Sequence, residues 1–201
     1  MLPLLAILLF GAVHSLLAAF GVKAWARRVL GERAFEGFYR LLYNIFSVAL
    51  FIPVALTLML TPATVIWRVP MPWAAALLAL QLAALLGLLA AVLQADPLRF
   101  AGLKQALAYL RGEPLPLPPE KLQVRGFYRL VRHPLYLFTL LTLWPTPLMT
   151  DTFLGFAVGA TLYFIIGSRL EERRLAAEFG DAYHQYRQRV PWLLPWPRPR
   201  P

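Results

Sequence analysis

Residues 73–93 read WAAALLALQLAALLGLLAAVL, and the one strongly polar side chain among them is that of Gln81. An α-helix rises about 1.5 Å per residue, so about 20 apolar residues cross the hydrocarbon core of a bilayer. A helix also satisfies its backbone polar groups internally, as lipid requires. The segment therefore predicts a transmembrane helix, with Gln81 hydrogen-bonded to a neighbouring helix.

The composition of the whole chain is typical of a membrane protein. Of its 201 residues, 59% are hydrophobic and 15% are charged, and the mean hydropathy is +0.59. The formal net charge is +10, but no solvated basic domain is left outside the apolar segments, so we expect no nucleic-acid partner. The chain has no cysteine, which excludes disulfides, thiolate metal ligands and a cysteine nucleophile. We expect no metal site.

Five apolar segments are candidates for transmembrane helices. They lie at residues 2–20, 41–60, 73–93, 135–149 and 152–167. We interpret the first as a retained span and not a signal peptide, and we expect the last two to form a tight helical hairpin. A cytoplasmic loop at 94–132 and cytoplasmic or interfacial helices at 168–190 complete a single membrane domain over residues 1–201.

Basic residues are distributed asymmetrically along this arrangement. Nineteen of the 20 Lys and Arg residues fall on one side of the five spans, and such residues concentrate in cytoplasmic loops. The sequence therefore predicts an all-α polytopic membrane protein with its N-terminus outside and its C-terminus cytoplasmic. We expect it in the cell (inner) membrane, with any active site facing the cytoplasm.

One histidine lies inside the first predicted span. An ionisable side chain is costly there and often functional, which makes His14 a candidate catalytic residue. The alternative is a neutral histidine that is hydrogen-bonded to a neighbouring helix.

A polar cluster opens the fourth span, in the stretch RLVRHPLYLF at 129–138. Pro134 suits the first position of a helix because its missing N–H would be unpaired there anyway. His133 would then be the N-cap, and Tyr136 would lie in the first turn. We expect free backbone N–H groups, together with Arg132, to attract a carboxylate or phosphate. The alternative is a basic membrane stop with a snorkelling arginine.

A second polar cluster follows the fifth span. Glu171 and Glu172 are adjacent there, and Tyr183 and Tyr186 continue a stripe at three- and four-residue spacing. Acids at the head of an aromatic stripe suit a ligand with a cation and a flat ring, whereas the alternative is an amphipathic helix anchored by its aromatic residues. Because the hairpin brings both clusters to one side, we expect them to form one site with His133.

The two clusters together resemble the signature of the isoprenylcysteine carboxyl methyltransferase superfamily of membrane enzymes. The matching pieces are RHPLY (132–136), EERRL (171–175), FGDAYHQY (179–186) and VP (190–191). Further pieces resemble its methanethiol S-methyltransferase and NnrU-like branch: VHSLLA (13–18), RFAGLKQALAYLRG (99–112) and LWPTPLMT (143–150). Phe138 departs from the glycine that the superfamily often has, and we expect its larger side chain to narrow the cofactor pocket.

The resemblance implies S-adenosyl-L-methionine as cofactor, with methyl transfer to a small or lipophilic acceptor that is a thiol, such as methanethiol, or a carboxylate. The partners implied are therefore this small-molecule substrate and the lipid bilayer, and the sequence indicates no oligomeric state. His14 and Arg132 are the candidate catalytic residues. The residues implied to bind the cofactor are His133, Pro134, Tyr136, Leu137, Glu171, Glu172, Tyr183 and Tyr186.

Other functions remain open from the sequence. NnrU-like proteins resemble haem-containing isomerases with two histidine ligands, and this chain has His14, His133 and His184. A His14–His133 pair would have to approach across nearly the whole bilayer. A sterol reductase would need additional spans, and a non-catalytic membrane binding protein is the third alternative.

Overall fold

The computed structural model describes residues 1–196 and is almost entirely α-helical. Its helices are α1 (Leu2–Leu17), α2 (Phe20–Leu30), α3 (Glu32–Leu60), α4 (Trp73–Gln94), α5 (Pro97–Ala101), α6 (Leu103–Leu110), α7 (Pro134–Leu143), α8 (Asp151–Phe179) and α9 (Asp181–Arg189). Two short strands, β1 (Val65–Arg68) and β2 (Leu148–Thr150), and a 3-10 helix at Gly126–Arg129 complete the described elements. The end of the proline-rich tail, residues 197–201, lies outside the described residues.

Within residues 1–196, three helices are long and apolar enough to cross a membrane, namely α3, α4 and α8. The helices α1 and α2 meet that criterion together, although they are bent by 54° relative to each other. The apolar helix α7 is shorter, at 10 residues. The all-α polytopic fold is therefore confirmed, whereas the five-span count and the orientation stay predictions.

The segment expected to be the fourth span contains a helix followed by a strand. The helix α7 begins at Pro134, as predicted, and ends at Leu143. Beyond it β2 pairs antiparallel with β1, with Leu148 opposite Arg68 and Thr150 opposite Val65. The sequence analysis missed this pairing because strands of three or four residues are too short to show a clear alternation of polar and apolar positions.

The start of α8 is determined by local hydrogen bonds. The Thr150 hydroxyl accepts a hydrogen bond from the Phe153 N–H at 3.1 Å, which caps the helix. Asp151 pairs with Thr64, because its carboxylate accepts from the Thr64 N–H at 2.8 Å and its own N–H donates to the Thr64 carbonyl at 3.0 Å. These bonds join the end of the strand pair to the beginning of a long helix.

Contacts within the chain define two compact units, and each is discontinuous in sequence. We call Met1–Thr61 with Asp96–Glu120 the N-terminal unit, and Pro62–Ala95 with the chain from Lys121 onward the C-terminal unit. In the N-terminal unit α3 packs against α1, α2, α5 and α6. In the C-terminal unit α4 packs against α7, and α8 contacts α7, α9 and β2. The expected single domain stays a prediction.

The N-terminal unit contains one close approach between a loop and α3. A Cβ atom at Gly102 would lie 2.4 Å from the backbone nitrogen of Leu41, and Gly102 has a φ of +89°. Only glycine fits such a contact in the left-handed region. Next to it, the Asn44 side chain donates hydrogen bonds to the carbonyls of Phe100 and Ala101 at 3.0 and 3.2 Å. These contacts fix α5 and α6 on the polar end of α3.

The α4–α7 interface confirms the prediction for Gln81 and explains Phe138. The Gln81 side chain donates to the Thr142 carbonyl at 2.7 Å, a group that the end of α7 leaves without a helical partner. A Cβ at Gly87 would lie 2.6 Å from the Phe138 ring, and the Phe127 ring lies edge-on to the same ring at 4.8 Å. Phe138 therefore fills the space above Gly87 in this interface. Its expected narrowing of a cofactor pocket stays a prediction.

We expect Gly87→Ala to destabilise the protein by about 1–3 kcal/mol, because the added methyl group would overlap the Phe138 ring. Combination with Phe138→Leu should remove part of that loss. The measurement is the thermal unfolding midpoint in detergent. Gly167→Ala is the matched control, since a Cβ at that helical glycine meets no atom within 4 Å. Equal effects of Gly87→Ala and Gly167→Ala would contradict the proposed packing.

Candidate active site

A buried ion pair lies at the centre of the polar cluster in the C-terminal unit. Arg132, two residues before α7, and Glu172, in α8, have side chains that are 5% and 8% exposed. The Arg132 Nε donates to Glu172 Oε1 at 2.7 Å, and Nη2 lies 2.6 Å from the same oxygen. Its Nη1 donates to the carbonyls of Arg187 and Val190 at 3.1 and 2.8 Å. Pairing and these extra bonds offset the cost of burying both charges.

His133 lies between the two predicted carboxylates. Its side chain is 4% exposed, with Nε2 3.3 Å from Glu172 Oε1 and Nδ1 3.5 Å from Glu171 Oε2. One ring nitrogen therefore faces the buried acid and the other faces the exposed acid. This arrangement orients the imidazole from both sides.

The accessible part of the cluster consists of Glu171 and Tyr136. The Glu171 side chain is 47% exposed, and its Oε2 accepts a hydrogen bond from the Tyr136 hydroxyl at 2.9 Å. The Tyr136 ring stacks on His133 at 5.4 Å and on Phe164 at 4.9 Å, with interplanar angles of 8° and 17°. A short aromatic stack thus ends beside a carboxylate that a ligand can reach.

The backbone N–H groups of Arg132 and His133, just before α7, are not free. The expectation of free N–H groups within the first turn of α7 stays a prediction. The Arg132 N–H donates to the carbonyls of Pro191 and Trp192 at 2.9 and 3.1 Å, and the His133 N–H donates to Trp192 at 3.3 Å. The chain after α9 therefore occupies these donors. The guanidinium of Arg132 is occupied as well, so we assign this residue to positioning and not to contact with a cofactor carboxylate.

Trp192 holds this returning segment against α8. Its indole N–H donates to the Ser168 hydroxyl at 3.2 Å, and the Arg169 guanidinium lies 4.5 Å from its ring centroid. The sequence could not predict that the backbone carbonyl of Trp192 accepts hydrogen bonds from Arg132 and His133, because every residue has the same backbone carbonyl.

Pro134 and Leu137 were also predicted to bind the cofactor. In the structure they form part of the first turn of α7. Pro134 is the first residue of α7, follows the N-cap His133 as predicted, and is fully buried. The Leu137 N–H donates to the His133 carbonyl at 3.0 Å, which makes the first bond of the helix. Both residues fix the backbone that carries His133 and Tyr136.

Tyr183 and Tyr186 lie in a protein core instead of at an open surface. They are 0% and 8% exposed and pack with Val190 against Leu122, Leu175, Ala176 and Phe179. The Tyr186 hydroxyl donates to the Tyr128 carbonyl at 2.7 Å. Within residues 1–196 the buried Tyr183 hydroxyl makes no hydrogen bond of ordinary geometry, although the Glu172 carboxylate interacts with it. Burial, and then the charge of Glu172, raise the pKa of Tyr183 to about 12. Because both rings are buried, we do not retain the predicted contact of Tyr183 and Tyr186 with the cofactor.

His14 belongs to the N-terminal unit and is hydrogen-bonded to a neighbouring helix, as the alternative interpretation states. The Tyr43 hydroxyl, on α3, lies 2.7 Å from His14 Nε2. The Phe10 ring, one turn earlier on α1, stacks on the imidazole at 5.4 Å. The sequence analysis missed Tyr43 because nothing in its spacing relates it to α1. The catalytic role of His14 stays a prediction.

We expect Arg132→Ala to destabilise the protein by about 3–5 kcal/mol, because it leaves the Glu172 carboxylate buried without its partner. The matched control is Arg173→Ala, next to Glu172 but exposed, which should change stability by at most about 0.5 kcal/mol. Thermal unfolding in detergent measures both. The double variant Arg132→Met/Glu172→Leu should lose less stability than Arg132→Met alone. If the destabilisations of the two single variants simply added in the double variant, the ion pair would be contradicted.

The two tyrosines of the core should respond oppositely to removal of their hydroxyls. Tyr186→Phe should lower the free energy of unfolding by about 1 kcal/mol, because it removes a hydrogen bond to the Tyr128 carbonyl. Tyr183→Phe should leave it unchanged or raise it by about 1 kcal/mol, since it removes a buried hydroxyl that makes no well-formed hydrogen bond within the described residues. Denaturation midpoints of both variants test this, and an equal loss in both would show that Tyr183 also has a bonding partner.

Comparison with known proteins places these motifs in context. A family model described as "NnrU protein" matches residues 2–169. Methanethiol S-methyltransferase from Mycobacterium tuberculosis is 34% identical over 94% of this chain and 75% of its own length. Methanethiol S-methyltransferase 1 from Bradyrhizobium diazoefficiens is 32% identical over 97% of this chain and 66% of its own length. The enzyme of that name from Pseudomonas deceptionensis is 33% identical, covering 100% of this chain and 74% of its own length. No solved structure matches the chain.

Proposed function

This chain belongs to the NnrU protein family, and from that premise we propose that it is an integral-membrane methyltransferase whose acceptor is a small thiol such as methanethiol. The observation that carries the proposal is the meeting of the two motifs RHPLY and EERRL in one polar cluster. Tyr136 of the first motif and Glu171 of the second are 35 residues apart in sequence, and their side chains are hydrogen-bonded. The names of relatives at 32–34% identity support the reaction and the acceptor.

We propose S-adenosylmethionine as the methyl donor. This molecule carries a cationic sulfonium, an ammonium group and ribose hydroxyls, which need a carboxylate that a ligand can reach. Glu171 offers one, with 47% of its side chain exposed, and the stacked rings of Tyr136 and Phe164 lie beside it. Glu171 and Tyr136 would therefore hold the cofactor, with His133 behind them. When bound, the cofactor supplies an electrophilic methyl group on an excellent leaving group.

The other residues of the cluster position these contacts. Arg132 and Glu172 fix His133 from the buried side, and the carbonyl of Trp192 fixes the backbone at the start of α7. In favourable model reactions, pre-formed alignment of the reacting groups lowers the activation free energy by up to about 7–11 kcal/mol. The acceptor thiol reacts as its thiolate and gives its proton to water or to a weak base, because even a cysteine thiol, with a pKa near 8.5, is mostly protonated at neutral pH. The Arg132 side chain acts through Glu172 and not on the substrate.

The membrane setting suits an apolar thiol. The helices α3, α4 and α8 expose apolar side chains along their lengths, so a lipophilic acceptor can arrive through the bilayer. We place the cofactor side in the cytoplasm on the basis of the basic residues of the loops. A catalytic role of His14, in the N-terminal unit, is kept as a separate proposal, and the turnover of His14→Ala tests it.

Calorimetric titration of the detergent-purified protein with S-adenosylmethionine tests the proposal. The parent protein should bind, and Glu171→Gln should weaken binding by about tenfold, as expected for loss of a hydrogen bond to a charged group. Arg173→Gln, also exposed on α8, is the control and should bind like the parent. With methanethiol as acceptor, the parent should release dimethyl sulfide. Absence of cofactor binding by the parent would overturn the assignment.

A further inference from the structure

A polar cavity that is open to the outside on one side lies within the N-terminal unit. Its volume is about 240 Å³, and it is lined by residues of α2, α3, α5, α6 and the proline-rich loop that follows α6. A water molecule occupies about 30 Å³ in the liquid, so the cavity corresponds to about eight waters. That is enough for a phosphate group with a small polar substituent.

The lining of this cavity carries an excess of positive charge. Four cationic side chains face two carboxylates, and the residues are Lys23, Arg27, Arg40, Arg99, Glu36 and Glu120. Glu120 is shared by two arginines, at 2.8 Å from Arg99 and 3.2 Å from Arg40. Glu36 pairs with Arg27 at 2.7 Å. Arg27 also lies 3.5 Å from Glu32, outside the lining. With that carboxylate counted, the cluster keeps one positive charge in excess, which favours an anionic ligand.

The cavity also contains a buried acceptor that lacks a donor. Gln105 is 9% exposed, and its Nε2 donates to the Arg99 carbonyl at 3.2 Å. Its Oε1 is buried and has no hydrogen-bond partner within the described part of the chain. A buried acceptor without a partner costs free energy that a ligand hydroxyl or amine would recover. The ligand should therefore bring a donor as well as a negative charge.

The position of the cavity along α3 suggests where such a ligand comes from. Phe35, Glu36, Tyr39 and Arg40 line it from the polar start of this helix, and the apolar stretch begins directly afterwards at Leu41. Basic pockets at the ends of membrane-spanning helices are suited to lipid headgroups. The cavity thus lies at the level where a headgroup would meet a helix that enters the bilayer.

We propose that this cavity binds a phosphate group that carries a hydroxyl donor, as in the headgroup of phosphatidylglycerol. Lys23 and the arginines contact the phosphate, and Gln105 Oε1 accepts a hydrogen bond from the hydroxyl. A soluble glycerol phosphate shares this chemistry and is the alternative source. No residue that lines the cavity is among those proposed to take part in methyl transfer.

Native mass spectrometry of the full-length protein in detergent tests the proposal with short-chain phosphatidylglycerol, phosphatidylmethanol and phosphatidylcholine. Phosphatidylglycerol should bind about tenfold more tightly than phosphatidylcholine. Lys23→Gln should weaken the binding of phosphatidylglycerol by about tenfold. Gln105→Ala should reduce phosphatidylglycerol to the affinity of phosphatidylmethanol, which has no hydroxyl in its headgroup. Arg40 and Arg99 are left unchanged because they hold Glu120.

Arg28→Gln is the matched control, since it removes a charge from the same helix without touching the cavity. Equal affinities for phosphatidylglycerol and phosphatidylcholine, or equal effects of Lys23→Gln and Arg28→Gln, would overturn the proposal. Glycerol 3-phosphate is tested in parallel. Binding as tight as that of the lipid, with the same dependence on Lys23, would support the cavity chemistry and assign it a soluble ligand. Binding of S-adenosylmethionine should be unchanged in Lys23→Gln. Each of the two proposed sites can therefore be refuted without affecting the other proposal.

Discussion

Burial of the Arg132 guanidinium is the constraint on which the C-terminal unit depends. A buried charge is stable only when it is paired and hydrogen-bonded. Arg132 is paired with Glu172, and its Nη1 donates to the carbonyls of Arg187 and Val190. These partners come from α8 and from the end of α9. One side chain therefore joins the start of α7 to both helices that follow it.

This constraint divides the polar cluster into two halves with different tasks. The buried half, Arg132 with Glu172, holds its shape and has little freedom to meet a ligand. The exposed half, Tyr136 with Glu171, is oriented by stacking and by one hydrogen bond but can be reached from outside. His133 lies between the halves and contacts an acid on each side. Such an arrangement suits alignment of a cationic cofactor better than acid–base catalysis.

Several features of the fold and of the site followed from local sequence rules. The helix start at Pro134, the bond of Gln81 to a neighbouring helix and the convergence of the two motifs were all predicted and are present. Tyr183 and Tyr186 show the limit of the same rules. Their spacing on one helical face is correct, but a stripe that faces a ligand and a stripe that faces a core have the same spacing.

The sequence by itself determined that this protein is a helical membrane protein. Its apolar segments are long enough to cross a bilayer, and in lipid a helix is one of the few structures that hydrogen-bond all their own backbone groups. It also identified the two motifs, since their residue types are chemically distinctive. Only the tertiary structure decided that the Trp192 carbonyl uses the N–H groups before α7, that Phe138 rests on Gly87, and that Glu172 is buried while Glu171 is exposed. Backbone carbonyls, close contacts and the exposure of adjacent residues depend on segments far apart in the chain, so no local pattern records them.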